Sequence, residues 1–157
     1  DLPAVVQLVQ SNLPSGLTAY LTLRQGWVSL WHEWLEAEED WIAINTLLAS
    51  LSRLGRAAAF LVLENEELWF TLADDGAPSY RYPAEMDGVS WSGPAPRDLD
   101  TELLAAALAV QPRTSGVTVL AGLLGLSADY ATVGFDDWLE LDEESELPEE
   151  ILVLEGQ

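Results

Sequence analysis

Residues 17–35 read LTAYLTLRQGWVSLWHEWL, and this stretch predicts the first hairpin of an antiparallel sheet. From Leu17 to Arg24 apolar and polar side chains alternate, which is the pattern of a half-buried strand. The dipeptide Gln25-Gly26 suits a tight turn, and residues 27–35 then supply the returning strand. The sequence therefore predicts that the sheet begins with these two strands.

The returning segment, 27–35, also fits a helix. In a helix, Trp27, Trp31 and Trp34 would stack along one face, at spacings of four and three residues. In a strand, side chains alternate between two faces, and Trp27 and Trp31 share one of them. The hairpin turn and the β-propensity of tryptophan and valine favour the strand.

Three helices and several further strands are expected around this hairpin. The predicted helices cover 2–13, 40–54 and 100–111, and the predicted strands cover 57–63, 68–73, 80–82, 89–91 and 151–154. Asp40 and Asp100 are suitable N-caps for the second and third helices. In the third helix, Leu103, Leu104 and Leu108 are expected to face inward.

This order of elements predicts an α+β fold, in which helices pack on an antiparallel sheet of two or more hairpins, with an acidic C-terminal extension. Residues 1–111 would form the core domain, and 112–157 an acidic segment packed on it. The order is similar to that of roadblock-type dimerisation domains and of the small acidic chaperones of type III secretion. That analogy uses element order alone, without any residue motif.

Composition excludes several function classes. The 157 residues include 27 acids, six arginines, no lysine, no cysteine and one histidine, for a formal net charge of −21, while 49% are hydrophobic. A packed core is therefore expected. Without cysteine there are no disulfides or zinc thiolates, and without lysine no Schiff base. The charge disfavours direct binding to nucleic acid or to an anionic membrane, and no apolar run is long enough for a membrane span.

Residues with catalytic chemistry form no recognisable motif. His32 is the only imidazole, and its neighbour Glu33 would point to the opposite face of a strand and could not orient it. Carboxylate pairs can hydrolyse glycosides or bind Mg²⁺ or Ca²⁺, but with so many acids they also arise by chance. The pairs are Asp74-Asp75, Asp98 with Asp100, Asp136-Asp137 and Glu149-Glu150. No metal site and no cofactor is predicted.

One local pattern lies in the C-terminal region. Residues 121–125, AGLLG, followed by Ala131 and Val133, resemble the Ala-x3-Gly turn region of helix-turn-helix domains, where the glycine permits the turn between two helices. The segment that would be the recognition helix, 128–140, contains four acids and no base. A phosphate backbone would repel it, so the resemblance implies a protein partner.

The distribution of charge suggests where a partner would bind. Residues 33–40 hold five acids, and 129–157 hold eleven acids without a base. Such blocks often mark interaction faces, and tryptophans beside them are suitable anchors. The predicted partner-binding residues are Trp31, Trp34, Glu36, Glu38, Glu39, Asp136, Asp137, Trp138 and Glu140.

The sequence thus predicts a non-enzymatic acidic module, an adaptor, chaperone or regulatory subunit of the cytoplasm that binds a basic protein. Electrostatic steering would speed the association and make it sensitive to salt. Two alternatives stay open: a DNA mimic that inhibits a nucleic-acid-binding protein, and a carboxylate-based hydrolase. The sheet edges of such a fold also favour a homodimer.

Overall fold

The computed structural model describes residues 1–24, 26–32, 41–63, 67–83, 85–86, 89–90, 98–126 and 131–156. Within these ranges there are five helices and eight strands. The helices are α1 (Leu2–Asn12), α2 (Trp41–Ser52), α3 (Thr101–Leu108), α4 (Arg113–Leu124) and α5 (Phe135–Glu143). The strands are β1 (Thr18–Arg24), β2 (Trp27–His32), β3 (Ala57–Leu63), β4 (Glu67–Asp74), β5 (Ala77–Tyr82), β6 (Glu85–Met86), β7 (Val89–Ser90) and β8 (Leu152–Glu155).

The α+β fold class is confirmed, with the hairpins divided between two three-stranded antiparallel sheets. The first sheet has the strand order β2-β1-β8, and the second has the order β3-β4-β5. Strands β6 and β7 form a separate two-stranded ribbon. The segment with two interpretations is a strand over Trp27–His32, because it pairs with β1 in continuous register from Arg24↔Trp27 to Ala19↔His32.

The chain forms two compact units, whose boundaries differ from the expected division at residue 111. Unit 1 comprises 1–47 and 133–157, and unit 2 comprises 48–132. The reason is the pairing of β8 with β1, in the register Thr18↔Glu155 to Leu21↔Leu152. The C-terminal strand therefore completes the first sheet, whereas α4 packs with α3 in unit 2.

Strand β1 is the centre of unit 1, and it is buried on both faces over four residues. Ala19, Tyr20 and Leu21 are fully buried and Thr22 nearly so, whereas Leu23 is 50% exposed. The expected alternation of a half-buried strand was wrong here, because the Phe135 ring of α5 lies against Tyr20 on one face and Ala19 and Leu21 are buried on the other. Burial on both faces removes the period-two signal.

The core of unit 2 lies between the second sheet and the helix pair α3–α4. The residues that share it are apolar and almost fully buried, and they are Leu68, Phe70, Leu72, Leu104, Ala107, Leu108, Val117, Leu120 and Leu124. The turn that joins β4 to β5 consists of Asp75 and Gly76, which both have positive φ, 51° and 84°. This is the combination that a two-residue hairpin turn requires.

Helix α3 begins as expected, but one of its leucines faces outward. The Asp100 carboxylate accepts hydrogen bonds from the backbone N–H groups of Glu102 and Leu103, so it is the N-cap. Leu104 and Leu108 are buried as predicted, whereas Leu103 is 53% exposed. The buried side of α3 therefore consists of Leu104, Ala107 and Leu108, and it does not extend to Leu103 as predicted.

The glycine of the predicted Ala-x3-Gly pattern lies at the end of α4. Gly125 ends α4 in the left-handed region, at φ 71°, as the turn glycine of the predicted pattern would. Residues 127–130 lie outside the described ranges, and the next helix within those ranges begins at Phe135. Among the residues that the structure describes, no helix has the length and apolar character needed to cross a membrane.

The packing of α4 can be tested with two leucines three residues apart. Leu120 is fully buried and Leu123 is 38% exposed. Leu120→Ala should destabilise unit 2 by about 2–5 kcal/mol, because it leaves a cavity in the core. Leu123→Ala, the matched control, should change stability by less than about 1 kcal/mol. Urea denaturation followed by circular dichroism measures both, and equal losses would contradict this orientation of α4.

Candidate protein-binding site

Helix α5 carries the best-defined group of predicted site residues, and its inward side fixes it to unit 1. Phe135 and Trp138 are buried, at 5% and 2% exposure. The Phe135 ring lies 5.4 Å from the ring of Tyr20, centroid to centroid, and Trp138 meets Trp31 edge-on at 5.1 Å. The Tyr20 hydroxyl also donates a hydrogen bond to Asp142 Oδ2, at 3.1 Å. The orientation of α5 is therefore set by aromatic contacts and one polar contact.

The outward side of α5 is acidic and contains one apolar side chain. We call it the acidic face, and it consists of Asp136, Asp137, Leu139, Glu140 and Glu143, all of which are exposed. Asp136 and Glu140 are four residues apart and Glu143 follows after three, so their carboxylates lie along one side of the helix. Leu139 is 37% exposed among them. The face thus combines a row of negative charges with an apolar contact point.

The charges of the acidic face are not all placed where they favour the helix. Asp136 and Asp137 lie in the first turn, where the helix dipole favours negative charge, and Asp137 Oδ2 accepts a hydrogen bond from the Gly134 N–H at 2.7 Å. Glu140 and Glu143 lie toward the C-terminus, where the dipole disfavours them, and the last turn has no basic residue. Repulsion between like charges four residues apart, as at Asp136 and Glu140, destabilises the helix by a further ~0.2–0.5 kcal/mol.

Unit 1 also holds most of the excess charge of the whole chain. Its residues include sixteen acids and one arginine, which leaves a formal charge of −15 of the total −21. That arginine, Arg24, contacts Glu150, with Nη2 2.7 Å from Oε1. Cationic groups for the acidic face are therefore scarce within unit 1 itself.

Trp31 and Trp138, two of the predicted partner anchors, make their contacts inside unit 1. The indole N–H of Trp31 donates to the backbone carbonyl of Val133 at 2.8 Å, just before α5 begins. Trp138 faces the core rather than the surface, because it lies on the side of the helix opposite Glu140. Both tryptophans hold α5 in position; Trp138 is buried there, which differs from the surface role expected of it, whereas Trp31 is half-buried and its contact with a partner stays a prediction.

The remaining predicted site residues divide into two groups. Asp136, Asp137 and Glu140 lie together on the acidic face, as described above. Trp34, Glu36, Glu38 and Glu39 lie outside the described residues, as does the N-cap predicted at Asp40. His32 ends β2, paired with Ala19, and its side chain is not among those described.

The carboxylate pairs seen in the sequence have structural contacts. Asp137 binds the Gly134 N–H, Asp100 caps α3, and Glu150 contacts Arg24. Asp74 and Asp98 both bind Arg56. Each sequence pair therefore has at least one carboxylate engaged in holding the fold. Within the described ranges, no group of three or more metal-ligating side chains is arranged to hold a metal ion.

Arg56 joins two acidic segments of unit 2. Its Nε and Nη2 donate to Asp74 at 2.8 and 3.3 Å, and its Nη1 and Nη2 donate to Asp98 at 2.6 and 2.8 Å. Ser79 Oγ also donates to Asp74, at 2.9 Å. Hydrogen bonds from Arg56 lower the pKa of Asp98, and those with Asp98 and then Asp74 raise the pKa of Arg56. Bidentate pairs of this kind are among the stronger exposed ion pairs.

Two features of these sites were not identified from sequence. Leu139 was not singled out, although its spacing from Phe135 and Trp138 places it on the edge of the apolar stripe. The Arg56 contacts join residues 18 and 42 positions away. Sequence spacing has no signal for such a pairing, because it depends on how the hairpin and the segment before α3 pack.

The pairing of Arg56 with Asp98 predicts a pH effect. The folded pKa of Asp98 is below its unfolded value, so the pair stabilises unit 2 fully above about pH 4. That stabilisation is lost as the pH falls through the folded pKa. Asp98→Asn should therefore lower stability at pH 7, and its effect should shrink as the pH falls through the folded pKa of Asp98. Urea denaturation at a series of pH values from 7 downward measures this.

The control for Asp98→Asn is Asp75→Asn, at an exposed turn residue whose positive φ asparagine also tolerates. Protonation of many carboxylates changes the repulsion within the whole chain, and comparison of two Asp→Asn variants cancels that effect. Equal pH dependence of the two variants would contradict the role assigned to Asp98.

The hydrogen bond of Trp31 gives a second prediction for unit 1. Trp31→Phe retains an aromatic ring beside Trp138 but leaves the Val133 carbonyl without its donor, and it should cost about 1–3 kcal/mol. Trp27→Phe, on the same face of β2, is the matched control and should cost less. Urea denaturation followed by circular dichroism distinguishes the two. A Trp31→Phe variant as stable as its control would rule out this contact as a support for α5.

Comparison with known proteins gives no relative from which a role could be transferred. No family model matches the chain, and no curated protein or solved structure is significantly similar to it. The function proposed below is therefore argued from the charge, exposure and contacts of this chain's own residues.

Proposed function

We propose that this chain is a non-enzymatic cytoplasmic binding module, which holds a basic protein on the acidic face of α5. The observation that carries the proposal is the arrangement of that helix. Trp138 and Phe135 fix its inward side, while Asp136, Glu140 and Glu143 are exposed around Leu139. The helix is rigidly placed, and its charged side faces solvent.

The electrostatics of α5 favour a cationic partner over solvent alone. Glu140 and Glu143 lie near the negative end of the helix dipole without a basic residue in the last turn. A lysine or arginine of a partner would relieve this repulsion and form charge-assisted hydrogen bonds. Leu139 adds an apolar contact that excludes water from the charged pairs, which strengthens them.

The net charge of unit 1 adds a long-range effect. A formal charge of −15 in one unit attracts a basic protein before contact and raises the association rate. The attraction reaches about one Debye length, which is about 8 Å at physiological ionic strength. Binding should accordingly be fast and weakened by salt.

A DNA mimic is a second candidate, and the spacing of charge along α5 favours it. Between Asp136 and Glu144 there are five exposed carboxylates, since Asp142 contacts Tyr20. At a rise of about 1.5 Å per residue, this is about one charge per 2.5 Å of helix axis. Duplex DNA has one charge per about 1.7 Å. A partner that normally binds DNA would meet a similar density of charge on this helix.

The proposal predicts that binding depends on the position of charge and not only on its amount. A triple variant, Asp136→Asn with Glu140→Gln and Glu143→Gln, removes three charges from the acidic face. We expect it to lose basic proteins that the wild-type chain retains from lysate at low salt, and we expect about 0.5 M salt to release them, since the Debye length is then about 4 Å. Quantitative mass spectrometry of the retained proteins measures both effects.

The matched control removes the same three charges elsewhere, by Asp75→Asn, Glu149→Gln and Glu155→Gln, all at exposed residues. It should retain the same proteins as the wild-type chain. Equal loss in both triple variants, or binding unaffected by salt, would refute a role for the acidic face. Release of a retained protein by duplex DNA would favour the DNA mimic, and retention in its presence would favour an adaptor or chaperone.

A further inference from the structure

The outward side of the α3–α4 pair exposes three large apolar side chains. Leu103, Val119 and Leu123 are exposed by 53%, 46% and 38%. The sequence between Glu102 and Arg113 has no charged residue, and none follows Arg113 before residue 129. We call this side, defined by the three exposed residues, the α3–α4 surface.

A hollow lies at one end of the α3–α4 surface. It has a volume of about 160 Å³ and is lined by Asp98, Leu99, Asp100, Leu103, Leu104 and Leu123. Leucine side chains form most of the lining, and two carboxylates contribute to it. A cavity of about 150 Å³ accommodates a benzene molecule, so this hollow has room for one large apolar side chain.

The charges around the hollow are predominantly negative. Asp98 is bound by Arg56, and Asp100 Oδ1 accepts the two N-cap hydrogen bonds of α3. Glu102 is exposed one turn away. Arg56 pairs with Asp74 and Asp98, and Asp100 and Glu102 add two further carboxylates, so these five side chains leave a net negative charge beside the leucines. The C-terminal end of α4, close to Leu123, adds the negative end of a helix dipole.

The extent and charge of the surface argue against a second copy of this chain as its occupant. Helix α4 has 12 residues, so the surface is about 18 Å long and about 10 Å wide. It is much smaller than the roughly 800 Å² that each partner buries in a standard stable interface. A second copy would also add another −21 charge, and such repulsion keeps proteins monomeric. A short helix of opposite charge fits both constraints.

We propose that the α3–α4 surface binds a short, basic amphipathic helix of a partner protein. An apolar side chain of that helix occupies the hollow between Leu103 and Leu123, and its lysines or arginines lie against Asp98, Asp100 and Glu102. This is the helix-in-groove mode of recognition, with apolar anchors at helical spacing. The inference rests on the proposed function for the charge of the partner, but it uses a different surface in a different unit.

The test uses a synthetic peptide as the probe. A fluorescein-labelled 14-residue peptide of leucine and lysine, with leucines at helical spacing, is titrated with the full chain and followed by fluorescence anisotropy. A scrambled peptide of the same composition controls for charge alone. We expect the amphipathic peptide to bind at least about tenfold more tightly than the scrambled one. Nuclear magnetic resonance should locate its contacts at 98–104 and 119–126.

The variants separate the α3–α4 surface from other exposed leucines. Leu103→Ser with Leu123→Ser should weaken binding about tenfold. Leu23→Ser with Leu152→Ser, at leucines 50% and 41% exposed in unit 1, is the matched control and should change it less than about twofold. If the first pair of substitutions disturbs folding, Glu102→Gln tests the charged side of the hollow and should weaken binding about threefold.

Three results would overturn the inference: equal binding of the two peptides, equal effects of the two double variants, or a dimer of the wild-type chain that Leu103→Ser with Leu123→Ser makes monomeric. The triple variant of α5 distinguishes this failure from that of the proposed function. If only the triple variant loses the lysate proteins, and Leu103→Ser with Leu123→Ser binds the peptide normally, the acidic face is supported and the α3–α4 surface is not. If the leucine variant loses the peptide and the triple variant still retains the lysate proteins, the α3–α4 surface is the binding site.

Discussion

The pairing of Leu152–Glu155 with Thr18–Leu21 joins the two ends of the chain into one unit. A segment with ten acids and no base, such as 133–157, would be disordered by its own charge if it had nothing to bury. It is ordered because Phe135, Trp138, Ile151 and Leu154 are buried in unit 1. At about 1.5–3 kcal/mol for each buried side chain, these four anchors are enough to offset the repulsion between several exposed carboxylates. Hydrophobic contacts therefore determine where the negative charge is displayed.

Hydrophobic burial also explains why the two units display different surfaces. Unit 1 places its anchors on one side of a short helix and its charges on the other, so that binding energy for a partner would come from electrostatics with one apolar contact at Leu139. In unit 2, Arg56 neutralises part of the negative charge and holds Asp74 and Asp98 within hydrogen-bond distance. There α3 and α4, whose charged residues are Glu102 and Arg113, leave Leu103 and Leu123 exposed. One chain thus presents two chemically distinct surfaces.

Local sequence patterns predicted the elements of residues 1–111 well, but they did not predict helices α4 and α5, and they predicted the partners of the elements poorly. The alternation from Leu17 to Arg24 and the turn at Gln25-Gly26 gave the first hairpin, because strand and turn signals lie within a few residues of each other. The N-cap at Asp100 was found for the same reason. The burial of Tyr20 could not be predicted, because it depends on Phe135, over a hundred positions along the chain. The acids of α5 were identified as a site from composition, but the inward position of Trp138 needed the helix to be placed on the sheet.

The charge of unit 1 and the apolar α3–α4 surface would act on different rate constants for the binding of a partner. Long-range attraction to the −15 charge of unit 1 acts on the rate of encounter and is nearly independent of the detailed shape of the partner. Apolar contacts with Leu103 and Leu123 act only after water has been excluded, so they act on the rate of dissociation. A partner that combined a basic surface with an amphipathic helix would gain from each effect separately. Charge alone would then select a broad class of basic proteins, and the fit of an apolar side chain into the hollow would select among them.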